Sequence, residues 1–329
     1  MPSTTDPTAG RCRVCGSEGV ASLPIGVYAP FFSLRVDVSR DRFALYTAKS
    51  GLRPPRGTSL AARLKRRIAH AGARVLGGGE RQFLRTSCNF CPDCHSLTPS
   101  HAYTYADLEP LYADYRSPTY NAHRISVEPS YRDIAPLVGK DQVERSNRNS
   151  GVAGFLRPFL QAETPSLALD LGGSDGKFIP TEVTSRFRET HIVDTSDAVV
   201  EEGLHALGVR KVSRPAAGGY GLVMCMHVLE HVGDPRQFVL DALAHLQPGG
   251  LLYLEVPLEL DPKTPTQFQA RMVDDCVTIH EHINQFHAES IARMVGSISL
   301  LRLLKSEHEA IDCGWVTGIV SRVLAERLE

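Results

Sequence analysis

The chain has 329 residues, a net charge of −1, 42% hydrophobic residues and 22% charged residues. This length suggests two domains, or one large domain with an appendage, and leaves room for a sizeable core. The near-zero net charge argues against bulk attraction to nucleic acid. The sequence has no run of 18 apolar residues, so no membrane span is predicted. The polar N-terminus lacks the pattern of a secretion signal, so a cytoplasmic location is the default expectation.

The cysteines are concentrated near the N-terminus, where five of the eight precede residue 95. Two Cys-x-x-Cys knuckles supply four thiolates, and such pairs are typical of structural Zn²⁺ sites; the predicted ligands are Cys12, Cys15, Cys91 and Cys94. Either Cys88 or His95 could replace one of the four, and reduced, unligated thiols are the alternative. A closed four-thiolate site predicts a structural rather than a catalytic metal.

A basic segment lies between the knuckles. Residues 53–85 contain nine Lys or Arg residues and one acid, Glu80, with apolar residues near helical spacing. One interpretation is an amphipathic helix for an anionic surface or substrate. We favour the other, a solvated insertion, because blocks of like charge are often simply mobile.

The second half of the chain alternates short apolar runs with helical patterns, which is typical of a βαβ sheet. The predicted strands cover residues 167–171, 191–193, 209–212, 222–226 and 251–256. Helices are predicted at residues 235–246 and 288–295, with a turn at 247–250. Two late runs at 300–304 and 316–323 predict a terminal hairpin, which makes about seven strands.

The first of these strands ends in a glycine-rich turn that precedes a helix-compatible segment. Glycines let a ligand approach the backbone closely, and the N–H groups of a following helix suit an anionic ligand. The dinucleotide pattern G-x-G-x-x-G fits poorly, whereas D-x-G-x-x-x-G fits well. The predicted cofactor-binding residues of this turn are Asp170, Gly172, Gly173, Ser174, Asp175 and Gly176.

The second strand ends at Asp194, which lies 22 residues after Gly172. A carboxylate at this position can accept both hydroxyls of a ribose. We therefore include Asp194 and Thr195 in the predicted cofactor site. The residues from Asp194 onward are also good helix N-caps, and the two interpretations are compatible.

Four segments, in order, resemble class I S-adenosylmethionine-dependent methyltransferases. They are the turn at 170–176, the acid at Asp194, the strand and Leu-Glu-His segment at 220–232, and the loop and strand at 246–257. The resemblance implies an α/β fold with a seven-stranded, mostly parallel Rossmann-like sheet and an antiparallel last strand. It also implies S-adenosylmethionine as cofactor, with Met226 and His227 near it. Ser174 and Gly221 stand where the family usually has a glycine and an acid.

The knuckles resemble the small zinc-binding N-terminal module that precedes sugar C-methyltransferase-like proteins, although the longer C-terminal extension of those proteins is missing here. The resemblance implies a zinc-binding module at 1–115, a helical linker or cap at 116–150 and a methyltransferase domain at 151–329.

A histidine-rich stretch follows the fifth strand. In the sugar C-methyltransferases a similar run supplies the general base, which implies His282 as base, Glu281 as its orienting partner and His231 as a reserve. A structural role for Glu281-His282 is the interpretation we favour, and a metal site formed by His280, His282 and His287 is a third. Tyrosines between residues 103 and 131 either wall an acceptor pocket or, as we favour, fill a domain seam.

The sequence thus predicts a methyltransferase that acts on the oxygen or carbon of a small-molecule acceptor, with S-adenosylmethionine and a structural Zn²⁺. Alternatives are an NAD-type oxidoreductase and an inactive, zinc-scaffolded binding protein. A nucleic-acid methyltransferase is not expected from the neutral charge. The sequence does not determine the oligomeric state.

Overall fold

The computed structural model describes residues 10–36, 44–46, 83–138, 142–160, 164–196, 198–259, 277–278, 281–314 and 316–329. The helices in these ranges are α1 (Pro30–Arg35), α2 (Tyr105–Tyr112), α3 (Pro118–Val127), α4 (Tyr131–Ile134), α5 (Gln142–Leu156), α6 (Thr181–Thr184), α7 (Glu202–His205), α8 (Pro235–Leu243) and α9 (Ser290–Gly296). The strands are β1 (Ala21–Tyr28), β2 (Ala44–Tyr46), β3 (Phe83–Phe90), β4 (Leu97–Pro99), β5 (Thr164–Leu171), β6 (Phe187–Val193), β7 (Val209–Lys211), β8 (Tyr220–Met226), β9 (Leu246–Pro257), β10 (Val277–Thr278), β11 (Leu301–Asp312) and β12 (Thr317–Arg327). Residues 53–82 of the basic segment lie outside the described residues.

The larger sheet has seven strands in the order β11-β12-β9-β8-β5-β6-β7. The pairs β5–β6, β5–β8, β6–β7 and β8–β9 are parallel, whereas β12 is antiparallel to both β9 and β11. The predicted seven-stranded, mostly parallel sheet with an antiparallel last strand is confirmed. The chain order reverses beside β5, which is the place where open α/β sheets bind their ligands.

One local prediction in this sheet is wrong. Residues 247–250, predicted as a turn before a strand, lie inside β9, which begins at Leu246. The pairing with β8 shifts between Tyr220–Leu246 and Leu222–Leu251, and Gly249 has a φ of 73°. The glycine-containing run therefore forms an irregular start to the strand, since the extra residues are accommodated as a bulge.

The smaller sheet has the order β10-β1-β3-β2, with β4 paired to β3. Strand β10 comes from the segment after β9 and pairs in parallel with β1, near the N-terminus. Leu97 and Gln285 also exchange two backbone hydrogen bonds of 2.9 Å. The N-terminal sheet is therefore completed by residues from the C-terminal half.

Local sequence explains where several helices begin. Asp234 caps α8 by accepting a hydrogen bond from the Gln237 N–H at 2.9 Å, and Pro235 occupies the first turn. Thr104 and Asp107 form a reciprocal capping box at α2. Short polar side chains at these positions satisfy N–H groups that have no partner within the helix.

The cysteine knuckles share a hydrophobic core with the larger sheet. Buried side chains of both knuckles belong to the same cluster as Leu254 of β9 and Ile291 of α9. Ser290 of α9 donates a 2.7 Å hydrogen bond to the Cys94 carbonyl. No described helix has the length and apolarity that a membrane crossing needs.

Candidate functional site

The glycine-rich turn bends sharply after β5. Gly172 and Gly176 have φ values of 80° and 82°, and Ser174 between them has a φ of 49°. Positive φ favours glycine. Ser174 nevertheless adopts a positive φ at the position where class I methyltransferases usually have a glycine. The turn closes, and the Gly176 N–H donates to the Gly173 carbonyl at 2.8 Å.

Asp194 lies directly beside this turn. Its Oδ2 accepts a hydrogen bond from the Ser174 N–H at 2.8 Å, and its Oδ1 accepts one from the Ser196 N–H at 2.6 Å. The carboxylate is half-buried at the end of β6, next to β5, while Thr195 is exposed. Each carboxylate oxygen retains a further lone pair for a ligand, because each accepts one of these backbone hydrogen bonds.

Asp170 and Asp175 have different surroundings within the same turn. Asp170 is buried, and burial together with the charge of Asp194 raises the pKa of its carboxyl to about 8. A Cβ at Gly173 would collide with that carboxyl, so the backbone passes unusually close to it. Asp175 instead forms a 2.9 Å ion pair with Lys177.

The end of β8 presents Met226 and His227, the latter with a φ of 55°. His227 Nε2 lies 3.2 Å from Glu255, a fully buried residue of β9. Burial, together with the charge of Arg148, lowers the pKa of His227 to about 4. Burial would raise the pKa of Glu255, but the hydrogen bond with His227 and the charges of Arg148 and Arg322 hold the pKa of this carboxyl below its usual range.

The predicted base, His282, lies against His231, with ring centroids 4.7 Å apart. His282 Nδ1 bonds Glu259 at 2.8 Å, and His231 Nδ1 lies 2.9 Å from the Tyr112 hydroxyl. Burial would lower the pKa of His282, but the hydrogen bond and charge of Glu259 raise it to about 9. Burial and the charge of His282 lower the pKa of His231 to about 3.

Glu230 completes this group. Its carboxylate and the two imidazoles offer ligand atoms that all lie within 4.8 Å of one another. Glu230 is fully buried, and burial raises the pKa of its carboxyl to about 7. We call Glu230, His231 and His282 the histidine–glutamate cluster.

Glu281, the predicted orienting partner of His282, contacts other residues. Its carboxylate accepts hydrogen bonds from Tyr120 and Arg124, and from the Tyr115 hydroxyl at 3.3 Å. The structure places Glu259, rather than Glu281, on His282 Nδ1. Glu281 thus ties the loop before α9 to α3 and to the turn that precedes α3.

The other histidines of the stretch lie apart from the cluster. His287 is buried and packs edge-on against the His95 ring, with centroids 5.1 Å apart. His280 lies outside the described residues. Of the predicted metal site formed by His280, His282 and His287, the two described residues, His282 and His287, have different neighbours and do not form one site.

The four predicted zinc ligands meet at one buried point. Cys12 Sγ lies 3.7 Å from Cys94 Sγ, and Cys15 Sγ lies 3.6 Å from Cys91 Sγ. All four sulfurs lie within 4.8 Å of one another. Hydrogen bonding with the Cys12 thiol lowers the pKa of Cys15 to about 6 and holds that of Cys91 below its usual range.

The two knuckles have matching backbone geometry. In each, the residue after the second cysteine, Gly16 or His95, has a positive φ, and its N–H bonds the carbonyl of the first cysteine. His95 thus continues the turn, and its ring stacks on Phe90. Neither His95 nor Cys88, which is buried in the core of the smaller sheet, belongs to the four-sulfur group.

Sequence reasoning missed the acidic members of the site, Glu230, Glu255 and Glu259. Glu230 is the glutamate of the Leu-Glu-His segment, and Glu255 lies in the fifth predicted strand. A charged residue in an otherwise apolar strand was the available indication, because buried carboxylates require partners.

This geometry lies in a part of the chain that matches a known protein family. Residues 145–298 match the family model described as a methyltransferase domain. The matched segment runs from α5 through α9 and contains the glycine turn, Asp194 and the end of β8. A comparison with curated proteins gives no significant match.

Solved structures with similar folds are distant in sequence. The 1,6-didemethyltoxoflavin-N1-methyltransferase of Burkholderia thailandensis, solved with S-adenosylhomocysteine, is 13% identical, with 72% of this chain and 97% of that chain covered and a TM-score of 0.46. The N-methyltransferase NodS of Bradyrhizobium japonicum WM9, also solved with S-adenosylhomocysteine, is 12% identical, with coverages of 58% and 91% and a TM-score of 0.40.

The family match and the sheet order together define the class. Residues 145–298 are a methyltransferase domain, and the sheet to which they contribute is Rossmann-like. The protein is an S-adenosylmethionine-dependent methyltransferase, and the match decides against the oxidoreductase alternative.

Proposed function

We propose that the protein transfers the methyl group of S-adenosylmethionine to an oxygen or carbon of a small-molecule acceptor. The observation that carries the cofactor part is the contact between the turn and Asp194, whose Oδ2 lies 2.8 Å from the Ser174 nitrogen. A ribose held by this carboxylate would lie over the turn, and the cofactor would extend toward Met226 and His227 at the end of β8. The glycines let the backbone of the turn pack closely on the protein beneath it, since a Cβ at Gly172 would collide with Val228 and one at Gly173 with Asp170.

Two departures from the family pattern are compatible with this site. Ser174 adopts the positive φ that the turn requires. At Gly221, a Cβ would collide with the Ser166 side chain, so the position has no room for the usual acid. The serine therefore does not prevent the turn from forming, and packing against Ser166 accounts for the glycine.

The cofactor proposal is tested by calorimetric titration with S-adenosylmethionine. Asp194→Asn is expected to weaken binding by about 10- to 100-fold, because a hydrogen bond to a charged group contributes about 1.5–3 kcal/mol. Asp241→Asn removes an exposed carboxylate on α8 and should bind as the wild type does. Equal affinities of all three proteins would contradict the assignment, and NAD serves as the negative ligand.

We assign the acceptor side of the site to the histidine–glutamate cluster. His231 and His282 lie after β8 and β9, at the same edge of the sheet as the turn. Of the predicted catalytic residues, we retain these two and give Glu281 a positioning role through α3. Methyl transfer mainly requires the acceptor, the methyl carbon and the sulfur to be aligned, which a rigid cluster favours. A metabolite screen with labelled methyl donor identifies the acceptor.

We also propose that the four cysteines hold a structural Zn²⁺. A tetrahedral ion with Zn–S bonds of about 2.3 Å separates its sulfurs by about 3.8 Å, close to the 3.6 and 3.7 Å separations here. Backbone N–H groups of Val14, Cys15 and Cys94 point at the sulfurs at 3.3–3.5 Å, as the charge of bound thiolates requires. Four thiolates leave no open position for a reactant.

The positions of the cysteines and of helix α5 indicate how the chain is divided into domains. We propose a zinc-bearing module at 1–115 and a helical cap that starts at 116. Helix α5 runs unbroken from Gln142 to Leu156, across the boundary expected at 150. We therefore propose that the methyltransferase domain begins with this helix.

A further inference from the structure

We propose that Glu230, His231 and His282 bind a divalent transition-metal cation beside the cofactor site. The site is separate from the four cysteines, whose sulfurs form their own group. What the cation would do there rests on the proposed function, whereas its binding does not.

The three donors already converge. Their ligand atoms lie within 4.8 Å of one another, and His231 Nε2 is 3.9 Å from Glu230 Oε1. Metal bonds to imidazole and carboxylate are about 2.0–2.2 Å long. Small side-chain rotations therefore bring all three donors to bonding distance around one ion.

Both imidazoles are held by their other nitrogen. His282 Nδ1 lies 2.8 Å from Glu259 Oε1. His231 Nδ1 lies 2.9 Å from the Tyr112 hydroxyl, which donates its own proton to the Glu281 carbonyl, and 3.2 Å from that carbonyl. An acceptor at Nδ1 keeps a proton on that nitrogen, so Nε2 is the atom that would bind the cation, in His282 after losing its own proton. Metal-binding histidines are oriented in this way, with the second nitrogen donating to a carboxylate or a carbonyl.

The Glu230 carboxylate is the independent observation that points to a ligand. The residue has an exposed fraction of 0%, and within the described part of the chain neither carboxylate oxygen has a hydrogen-bond partner. The nearest imidazole nitrogens of His227 and His231 lie 3.4 and 3.9 Å away. A buried carboxylate with only these long imidazole contacts is costly, and a bound cation would satisfy it.

The donor set selects the class of cation. Two imidazoles and one carboxylate suit Mn²⁺, Fe²⁺, Co²⁺ or Zn²⁺ better than Mg²⁺ or Ca²⁺, which prefer oxygen ligands. Three protein ligands leave coordination positions open. An acceptor hydroxyl bound at such a position would lose its proton more readily, because a metal ion lowers the pKa of a bound oxygen.

Mn²⁺ is the probe, since it favours nitrogen and oxygen ligands over the thiolates of the zinc site. Untagged, zinc-loaded protein is titrated with Mn²⁺, and the loss of the free-ion EPR signal gives stoichiometry and affinity. Wild type should bind one Mn²⁺ per chain at this site, and His282→Gln and Glu230→Gln should each weaken binding at least tenfold. Glu259→Gln should weaken it by about 10- to 100-fold, as loss of an outer partner does.

His308→Gln, an exposed histidine on β11, is the matched control and should bind as the wild type does. His282 is partly exposed, so its variant is the one expected to remain folded, and thermal unfolding checks this. An unchanged free-ion signal with wild type, or equal Mn²⁺ affinity of wild type and His282→Gln, would overturn the proposal. Titration with S-adenosylmethionine on the same samples tests the proposed function separately.

Discussion

Replacing Glu281 by Gln tests whether this residue holds the structure together or serves the chemistry. Its carboxylate is buried between the Arg124 guanidinium and the hydroxyls of Tyr115 and Tyr120. Those partners precede the methyltransferase domain, whereas Glu281 follows β9. The substitution removes one charge from a buried ion pair and preserves the shape of the side chain.

The expected loss follows from burial. The side chains of Arg124 and Glu281 are only 8% and 9% exposed. Breaking a buried pair typically costs about 3–5 kcal/mol, because the remaining charge is left uncompensated. Arg124 keeps its 3.0 Å pair with Glu128, so we expect the low end, about 3 kcal/mol. At about 2–4 °C per kcal/mol, the midpoint of thermal unfolding should fall by about 6–12 °C.

Urea unfolding of Glu281→Gln and Glu289→Gln provides the assay and its control. Glu289 forms a 3.0 Å pair with Arg293, but both side chains are about half exposed. Such surface pairs contribute about 0–1 kcal/mol, so the control should unfold almost as the wild type does. Equal stability of the two variants would refute a structural role for Glu281. A normal unfolding midpoint combined with a large loss of kcat would instead favour its role beside the base.

Two further predictions concern the cysteines and the glycine turn. Cys91→Ser is expected to lose most of its zinc in metal analysis, whereas Cys88→Ser should retain it; unchanged zinc in the first variant would remove the zinc proposal. Because the pKa of Asp170 is raised to about 8 by burial, the folded state holds a proton that the unfolded chain releases above about pH 4. Stability should therefore decline between about pH 4 and 8, and Asp170→Asn should flatten that decline in urea unfolding; parallel curves would contradict this.

Local pattern was sufficient for most of the methyltransferase sheet. Strands β5, β6, β8 and β9 were predicted in place from apolar runs, and α8 was predicted between β8 and β9 from a helical pattern that begins at Pro235. The glycine turn was also predictable, because its conformation depends on residues within seven positions. The start of β9 was not, since the bulge at 247–250 arises from pairing with a neighbouring strand.

The partners of the charged groups were beyond sequence reasoning. The resemblance to the sugar C-methyltransferases implied Glu281 as the orienting partner of His282, yet Glu281 contacts Arg124, 157 residues away. His282 instead meets Glu259, 23 residues earlier. Both contacts depend on how distant elements pack.

The amino-acid order alone determined the kind of fold, the two Cys-x-x-Cys knuckles and the glycine turn after β5, because each is encoded by neighbours along the chain or by periodic hydrophobicity. Tertiary structure decided that the knuckles pack into the core of the larger sheet, that a strand from the far half completes the N-terminal sheet, and that Glu230 faces two imidazoles. These contacts depend on burial and on which distant side chains meet in the folded chain, and neither follows from spacing in the sequence.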